Sequence, residues 1–427
     1  MTTIRALRRR AGLSAALAGL AAAAASAAPP SPEQIAAAAL RAAPVWDAHN
    51  DVPEQLRIRR KDVLGDFDFR DTRATADPDH GRTAMHTDLA RLRQGHVGAQ
   101  FWSVYVDAAL PEPQAVQATL EQIDVMKRLV ARYPAEMQLV TSAAEAEQAM
   151  HAGRIASLLG MEGGHSIGGS LAVLRQMHAL GARYMTLTHF NTLAWADSAT
   201  DAPRHDGLTD FGRDVVREMQ RLGMLVDLSH VSAATMMDAL DVARAPVMFS
   251  HSGAGAIDNH PRNVPDAVLD RLKANGGIVM VVSAPAYVSA AVRDWSTRRA
   301  GEEARLKALN IGAPDAARAQ LAAWTAANPP PRATLAQLAD HIDHIRQRIG
   351  VAHIGLGGDF DGIDDTTEGF GDVSAYPALF TELARRGYSQ AELQQISSGN
   401  MLRVMRASDA YAAAHRADPP IESATAF

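Results

Sequence analysis

The 427-residue sequence contains no cysteine. This absence excludes a disulfide framework, catalysis by a thiol and lipid attachment through a lipobox cysteine. Any metal site in this chain therefore has to be built from histidine, aspartate and glutamate, the other side chains that usually bind catalytic metals.

An excess of positive charge is also missing. The chain has 42 lysines and arginines against 48 aspartates and glutamates, which gives a formal net charge of −6, and its pI is about 6.2. Nucleic-acid-binding domains usually carry a basic patch or a high pI, so we expect no nucleic-acid partner. The apolar content of 47% is typical of a globular protein with a large core.

The first residues have the pattern of an export signal. Arg5 and an arginine run at 8–10 precede an apolar stretch at 13–25, and Ala25-Ser26-Ala27 offers a small-x-small cleavage site. The apolar stretch is short for a membrane span. We therefore expect a signal peptide at 1–27 and an exported, periplasmic or secreted protein with no membrane anchor after cleavage. The arginines leave both the Sec and the twin-arginine routes open.

Beyond a linker and first helix at 28–44, short apolar runs alternate with helical patterns up to about residue 407. The apolar runs are typical of strands buried on both faces, and a tail is expected at 408–427. Eight such runs occur, at 45–48, 99–106, 155–161, 184–188, 225–228, 247–250, 278–282 and 354–358.

The count of eight favours a (β/α)8 TIM-like barrel of the metal-dependent hydrolase type, although a doubly wound open sheet has a similar pattern. Helical patterns follow most of the runs, for example at 115–132, 211–222 and 335–349. The segment 294–331 is too long for a barrel loop, so we interpret it as a helical insertion before the last strand.

Imidazoles and carboxylates recur where the predicted strands end. In a parallel barrel these ends form one rim, and the active site is built there. His49 and Asp51 lie two residues apart in extended chain, so both side chains point to one side and can share an ion. The same pattern predicts a metal site that also draws on Glu162, His189, His230, His251 and Asp359.

Eight segments of the chain resemble the membrane (renal) dipeptidase family, peptidase family M19 of the amidohydrolase superfamily. They stand in the family's order and cover the chain from about residue 44 to 407. The segments are WDAHND (46–51), QFWSVY (100–105), MEGGHSI (161–167), YMTLTH (184–189), VDLSHVS (226–232), FSHS (249–252), RNVPD (262–266) and GGDFDG (357–362).

This resemblance implies two zinc ions per chain and a homodimer. The family's metal positions correspond to His49 and Asp51 for one ion and His230 and His251 for the other, with Glu162 bridging them. Three further positions are implied in substrate binding or catalysis: His189 beside the carbonyl oxygen, Arg262 on the substrate carboxylate, and Asp359 as the proton carrier.

The implied reaction is hydrolysis of dipeptides with a free C-terminal carboxylate, tolerant of D-residues at that position, by water activated between the ions. Two alternatives stay open: an exported amidohydrolase acting on another amide or lactam, and a non-catalytic peptide- or metal-binding protein. The run at 282–287 departs from the family pattern, which leaves the side-chain preference open.

Two other patterns compete with the metal site. The segment GHSIG (164–168) matches a serine nucleophile elbow, but we expect Ser166 instead to cap the helix that begins near Leu171. His341 and His344 could face a surface metal, but we expect Asp340, His341 and Asp343 to form a solvated helix face.

Overall fold

The computed structural model describes residues 29–424, and the predicted signal peptide at 1–27 lies outside this range. Within it the chain forms nine parallel strands, most of them wholly buried. Their bounds are β1 (Val45–Asn50), β2 (Val97–Ser103), β3 (Met137–Leu139), β4 (Ile155–Glu162), β5 (Ala182–Thr186), β6 (Leu225–Asp227), β7 (Met248–Ser252), β8 (Ile278–Val282) and β9 (Ile354–Gly357).

Eight of the strands in the described range close into a barrel. The ring runs β1, β2, β4, β5, β6, β7, β8 and β9, and β9 pairs back with β1. The pairing of β2 with β4, from Ala99↔Ala156 to Ser103↔Gly160, closes it. The predicted barrel is therefore confirmed and an open sheet is excluded. The short β3 pairs with the first residues of β4, and its three residues carry too little pattern to be predicted.

Helices surround the ring. None of those described combines the length and the apolar character needed to cross a bilayer. Their bounds are α1 (Pro32–Ala42), α2 (Val52–Arg60), α3 (Leu89–Gln94), α4 (Glu112–Arg132), α5 (Ala143–His151), α6 (Leu171–Ala179), α7 (Asp210–Leu222), α8 (Ala233–Val242), α9 (Asp266–Asn275), α10 (Pro285–Val288), α11 (Ala290–Leu309), α12 (Pro314–Ala327), α13 (Leu335–Ile349), α14 (Tyr376–Arg385), α15 (Gln390–Gln394) and α16 (Asn400–Ala414).

The helical insertion before the last strand is confirmed. Helices α11 and α12 fill it and pack on each other through Trp295 and Trp324, whose ring centroids are 6.3 Å apart. The boundary predicted at residue 407, between the barrel and the C-terminal tail, falls inside α16. The chain beyond α16 docks on α7, because Ile421 donates its N–H to the buried carboxylate of Glu218.

The barrel interior is filled by side chains that meet across the ring. Gly160 on β4 leaves space for the ring of Tyr184 on β5, since a Cβ at this glycine would stand 2.0 Å from the ring. The Tyr184 hydroxyl then reaches Nδ1 of His49 at 2.9 Å. Strands β1 and β5 are not neighbours, so this hydrogen bond spans the interior and fixes the histidine ring near the C-terminal end of β1.

Two wholly buried carboxylates hold neighbouring strand ends together. Asp47 on β1 accepts hydrogen bonds from the N–H of His49 (3.1 Å), the N–H of Gly358 after β9 (2.9 Å) and the hydroxyl of Tyr376 on α14 (2.7 Å). Burial raises the pKa of Asp47 to about 6, and these donors oppose the rise.

Asp227 on β6 has the same role between the next strands. It accepts from the hydroxyl of Thr186 on β5 (2.6 Å) and from both the N–H (2.8 Å) and the hydroxyl (2.6 Å) of Ser250 on β7. Hydrogen bonds of this kind replace the water that a buried carboxylate loses.

Tyr376→Phe should lower the free energy of unfolding by about 1–3 kcal/mol, because a buried carboxylate loses a hydroxyl donor while the ring is kept. Denaturant unfolding of the purified protein measures the change. Tyr411→Phe makes the same chemical change on a partly exposed ring of α16 and should cost less than about 0.5 kcal/mol. Equal losses in the two variants would contradict the role given to the Asp47–Tyr376 bond.

Candidate metal centre and active site

Five predicted metal ligands come together at the C-terminal mouth of the barrel. His49 is the penultimate residue of β1, Asp51 directly follows that strand, and Glu162 ends β4. His230 follows β6, and His251 lies within β7. All five are buried. Together with His189 and Asp359, they form three overlapping groups of three residues, and within each group the ligand atoms lie within 4.8 Å of one another.

Glu162 stands between two sets of imidazoles. Its Oε2 lies 3.4 Å from Nε2 of His49 and accepts a hydrogen bond from the hydroxyl of Ser103 at 3.0 Å. Its Oε1 lies 3.0 Å from Nε2 of His230 and 3.3 Å from Nε2 of His251. Burial alone would raise the pKa of Glu162, but the surrounding imidazoles hold it well below its usual value. Each carboxylate oxygen therefore serves a different side of the cluster.

Asp51 occupies a helix N-cap position without capping the helix. An aspartate there usually accepts a backbone N–H of the first turn, yet the Asp51 side chain makes no such bond. Both of its oxygens are buried without a hydrogen-bond partner, and Oδ2 lies 3.3 Å from Nε2 of His49. A buried carboxylate without donors is costly, so this geometry fits a cation ligand.

Two of the imidazoles, those of His230 and His251, are held in the neutral form that binds metal. Nε2 of His230 and Nε2 of His251 lie 2.9 Å apart. Burial, with Arg262 nearby, keeps the pKa of His230 well below its usual value, and burial with His49 does the same for His251. Neutral imidazole is the ligating species. Nδ1 of His251 is bonded to the hydroxyl of Ser250 at 2.8 Å, which leaves Nε2 for an ion.

The backbone around the cluster adopts conformations that side chains rarely take. His230 has a φ of 68° and Asp359 a φ of 61°, both in the left-handed region. Such conformations cost about 1–3 kcal/mol each and accumulate at functional sites. Gly362, in the same loop as Asp359, passes so close that an added Cβ would lie 2.3 Å from Oδ2 of Asp51 and 2.8 Å from Oδ1 of Asp359.

A cavity of about 180 Å³ opens beside the cluster, and the remaining predicted site residues line it: His189, Arg262 and Asp359. His189 places Nε2 3.7 Å from Oε1 of Glu162, and burial lowers its pKa to about 4. Asp359 places Oδ1 3.9 Å from Nε2 of His49, and burial raises its pKa to about 8. A cation in the cluster would oppose that rise, because nearby positive charge favours the carboxylate form.

Arg262 is a wholly buried cation without a counter-ion. Its guanidinium donates to the carbonyl of His251 at 3.2 Å and to the hydroxyl of Ser252 at 3.4 Å, and Nε has no partner. It also lies 5.3 Å from the ring centroid of Tyr287. No carboxylate of the described residues forms an ion pair with it. The planar fork of an unpaired guanidinium facing a cavity suits a carboxylate ligand.

Two expectations outside the cluster are wrong. His341 is not on a solvated face: it is wholly buried, Nδ1 accepts the N–H of Ala254 at 2.9 Å and Nε2 bonds the carbonyl of Val288 at 3.1 Å. Ser166 does not cap the next helix, because Ser170 caps α6 instead. Ser166 is buried in a 3₁₀ turn and its hydroxyl has no hydrogen-bond partner, neither a histidine nor any other.

Several residues that line the cavity were not predicted. Glu54 stands on α2 three positions after Asp51, a spacing that brings it back toward the same side of the helix and could have revealed it. Tyr287 lies on α10, inside the run that departs from the family pattern. The remaining unpredicted lining residues are Tyr105, Phe190, Gly362 and Ile363.

A parallel β/α barrel with buried, metal-competent imidazoles and carboxylates at its C-terminal mouth defines the class of metal-dependent barrel hydrolases. The particular family follows from comparison with known proteins. The family model described as "Membrane dipeptidase (Peptidase family M19)" matches residues 33–419. The chain belongs to this family and is a metal-dependent dipeptidase.

Known proteins resemble the chain over most of its length. It is 41% identical to Dipeptidase 3 of Homo sapiens over 393 residues, which cover 91% of this chain and 70% of that protein. An uncharacterized dipeptidase of Schizosaccharomyces pombe is 40% identical over 393 residues, covering 89% of this chain and 84% of that protein.

Solved structures share the fold at lower identity. The probable dipeptidase PvdM from Pseudomonas aeruginosa is 22% identical with a TM-score of 0.75, over 89% of this chain and 99% of that one. A metallo peptidase from Rhodobacter sphaeroides, solved with a phosphinate mimic of the dipeptide L-Ala-D-Ala, is 22% identical with a TM-score of 0.68, over 86% of this chain and 99% of that one.

Ser166→Ala should leave kcat/KM for a dipeptide within about twofold of the parent value, because the hydroxyl makes no hydrogen bond to the cluster residues or to any other described group. Steady-state kinetics of the two proteins at equal metal content measure the change. A loss of activity by several orders of magnitude would instead establish Ser166 as a nucleophile.

Proposed function

We propose that this dipeptidase hydrolyses dipeptides bearing a free C-terminal carboxylate at a dinuclear zinc centre. The observation that carries the proposal is Glu162, whose Oε2 faces His49 while its Oε1 faces His230 and His251. Such a carboxylate suits a bridge between two ions. The ligand set is His49 and Asp51 on one side, His230 and His251 on the other, and Glu162 between them.

The donor set fits zinc, which takes imidazole and carboxylate ligands in proteins that lack cysteine at the site. Two ions held there would lower the pKa of a shared water and polarise the carbonyl of the peptide bond. The protein supports this chemistry by fixing the ligands: Tyr184 and Ser250 bond the far nitrogens of His49 and His251, and such partners orient a ligand ring.

Arg262 binds the carboxylate of the substrate. It is the unpaired buried cation of the cavity, and its contact with the ring of Tyr287 keeps the guanidinium plane in place. The cavity, at about 180 Å³, is smaller than the roughly 300–1,000 Å³ of drug-sized pockets, which favours a short peptide. Because the Rhodobacter relative was solved with a mimic of L-Ala-D-Ala, we include D-residues at the C-terminal position.

His189 and Asp359 act on the reacting groups. His189 is neutral at physiological pH, since burial lowers its pKa to about 4. It donates a hydrogen bond to the carbonyl oxygen as negative charge develops on that oxygen. Asp359 takes the proton of the attacking water and gives it to the leaving amine, a role suited to a carboxylate that lines the cavity beside the cluster.

The protein acts as an exported enzyme with a cleaved signal peptide at 1–27 and forms a homodimer. Export is supported by the charged, apolar and small-residue pattern at the N-terminus. The homodimer is inferred from family membership.

Purified mature protein should hydrolyse a set of L-L and L-D dipeptides, lose this activity on treatment with a chelator and regain it when zinc is returned. Metal analysis should give about two ions per chain. Substrates with an amidated C-terminus should show kcat/KM lower by about tenfold or more, because the guanidinium loses its charged partner. Two tightly bound ions without dipeptide hydrolysis would indicate a different amide substrate. A protein that binds no metal would refute the proposal.

Asp359→Asn should keep both metal ions and lower kcat by about 10²–10⁴-fold, because an amide cannot carry the proton. Metal content and steady-state rates of the same preparation separate the two effects. Asp365→Asn, at an exposed position of the same loop, is the matched control and should keep full activity. Full activity of Asp359→Asn would remove its role as proton carrier.

A further inference from the structure

Glu54 is a cavity residue that the proposed chemistry does not use. It lies in the first turn of α2, is half-buried, and lines the same cavity as His189 and Arg262. No ion pair or hydrogen bond within residues 29–424 engages its carboxyl group. The cavity therefore contains an acidic group whose partner is not supplied by the described protein.

The surroundings of Glu54 are acidic. Burial raises its pKa to about 8, and Asp51, Glu162, Asp359 and Asp364 add to the rise. Cations bound by the cluster ligands and a cation arriving with the substrate would both favour its charged form.

The arginines of α2 do not neutralise Glu54, because each is bound elsewhere. Arg57 pairs with Asp62 and Glu121, Arg60 pairs with Asp66, and Arg59 donates to Gln55 and to two backbone carbonyls. The guanidinium groups of all three arginines are therefore engaged by partners other than Glu54.

Among the described residues that line the cavity, Arg262 and Glu54 thus offer a cation and an anion that form no ion pair. Arg262 lies in the segment after β7, beside His251 of that strand and Tyr287 of α10. Glu54 lies after β1, beside Asp51 and Asp364. Strands β1 and β7 are separated in the ring by β9 and β8, so the two charges approach the cluster from different sides. A dipeptide at neutral pH carries a carboxylate at one end and an ammonium group at the other.

We propose that Glu54 determines substrate specificity by binding a cationic nitrogen on the N-terminal residue of the dipeptide, while Arg262 holds the carboxylate. This inference rests on the proposed function of the site. The nitrogen is either the α-ammonium group or a basic side chain of that residue, because both present the same charge and hydrogen-bond donors to a carboxylate. A charge-assisted hydrogen bond of this kind corresponds to roughly a tenfold or larger change in kcat/KM.

The test compares the holoenzyme with Glu54→Gln, which keeps the shape of the side chain and removes its charge. Two substrate pairs isolate the two nitrogens. Alanyl-alanine against lactoyl-alanine exchanges the α-ammonium for a hydroxyl, and lysyl-alanine against norleucyl-alanine removes the side-chain ammonium. The C-terminal alanine has the configuration that the parent enzyme cleaves. Glu121→Gln, which removes the partly exposed carboxylate that pairs with Arg57 of α2, is the matched control.

The parent enzyme and Glu121→Gln should prefer the cationic member of at least one pair by roughly tenfold or more in kcat/KM, and Glu54→Gln should abolish that preference at unchanged metal content. The pair that responds identifies the nitrogen. A preference that persists in Glu54→Gln, or no preference in the active parent enzyme, would overturn the inference. Loss of metal from Glu54→Gln would also overturn it, since Glu54 would then balance the charge of the ions. A parent enzyme without dipeptidase activity would instead refute the proposed function.

Discussion

Asp47 and Asp227 are carboxylates buried inside a protein, and such groups are tolerated only where hydrogen bonds replace the water they lose. Asp47 joins the end of β1 to the segment after β9, and Asp227 joins β6 to β5 and β7. The histidines proposed as ligands lie close to these bridges in sequence. His49 follows Asp47 by two residues, His230 follows Asp227 by three, and His251 is next to Ser250, which donates to Asp227. The positions of the proposed metal ligands therefore depend on two carboxylates that do not themselves line the cavity.

This arrangement explains how the side chains of the cluster can be buried and still be held in fixed orientations. The carboxylates and imidazoles of the cluster point toward one another. Hydrogen bonds with Tyr184, Ser103 and Ser250 restrict the rotation of His49, Glu162 and His251, respectively. Left-handed backbone at His230 and Asp359 adds conformational cost. A rigid barrel can hold ligands in this costly geometry before any ion or substrate is bound, which is the basis of preorganisation.

The barrel and the cluster were predictable from sequence because parallel strands bring all their carboxyl ends to one rim. A polar residue after each apolar run therefore predicts a shared location without any knowledge of contacts. Side chains whose role depends on tertiary contacts were not predictable in this way. His341 has the helical spacing of a surface residue, yet its two ring nitrogens bond the backbone of Ala254 and Val288.

Local capping preferences were equally ambiguous. Ser166 and Ser170 both precede α6, and only the geometry of the 3₁₀ turn between them decides that Ser170 caps it. Asp51 shows the opposite case, an N-cap residue whose side chain leaves the helix for the cluster. Glu54 follows on the same helix, but its surroundings also depend on charges from Glu162 and from the loop that carries Asp359 and Asp364.

The close approach of Gly362 to Asp51 and Asp359 has a consequence for how this site can change in evolution. Where a Cβ does not fit, one wall of the cavity is peptide backbone, and substitution cannot reshape that wall without displacing the carboxylates of Asp51 and Asp359. New substrate preferences must then arise from the other walls, which are formed by the side chains of Glu54, Tyr105, Phe190 and Tyr287. The fold thus separates a fixed catalytic side of the cavity from a side that can be altered residue by residue.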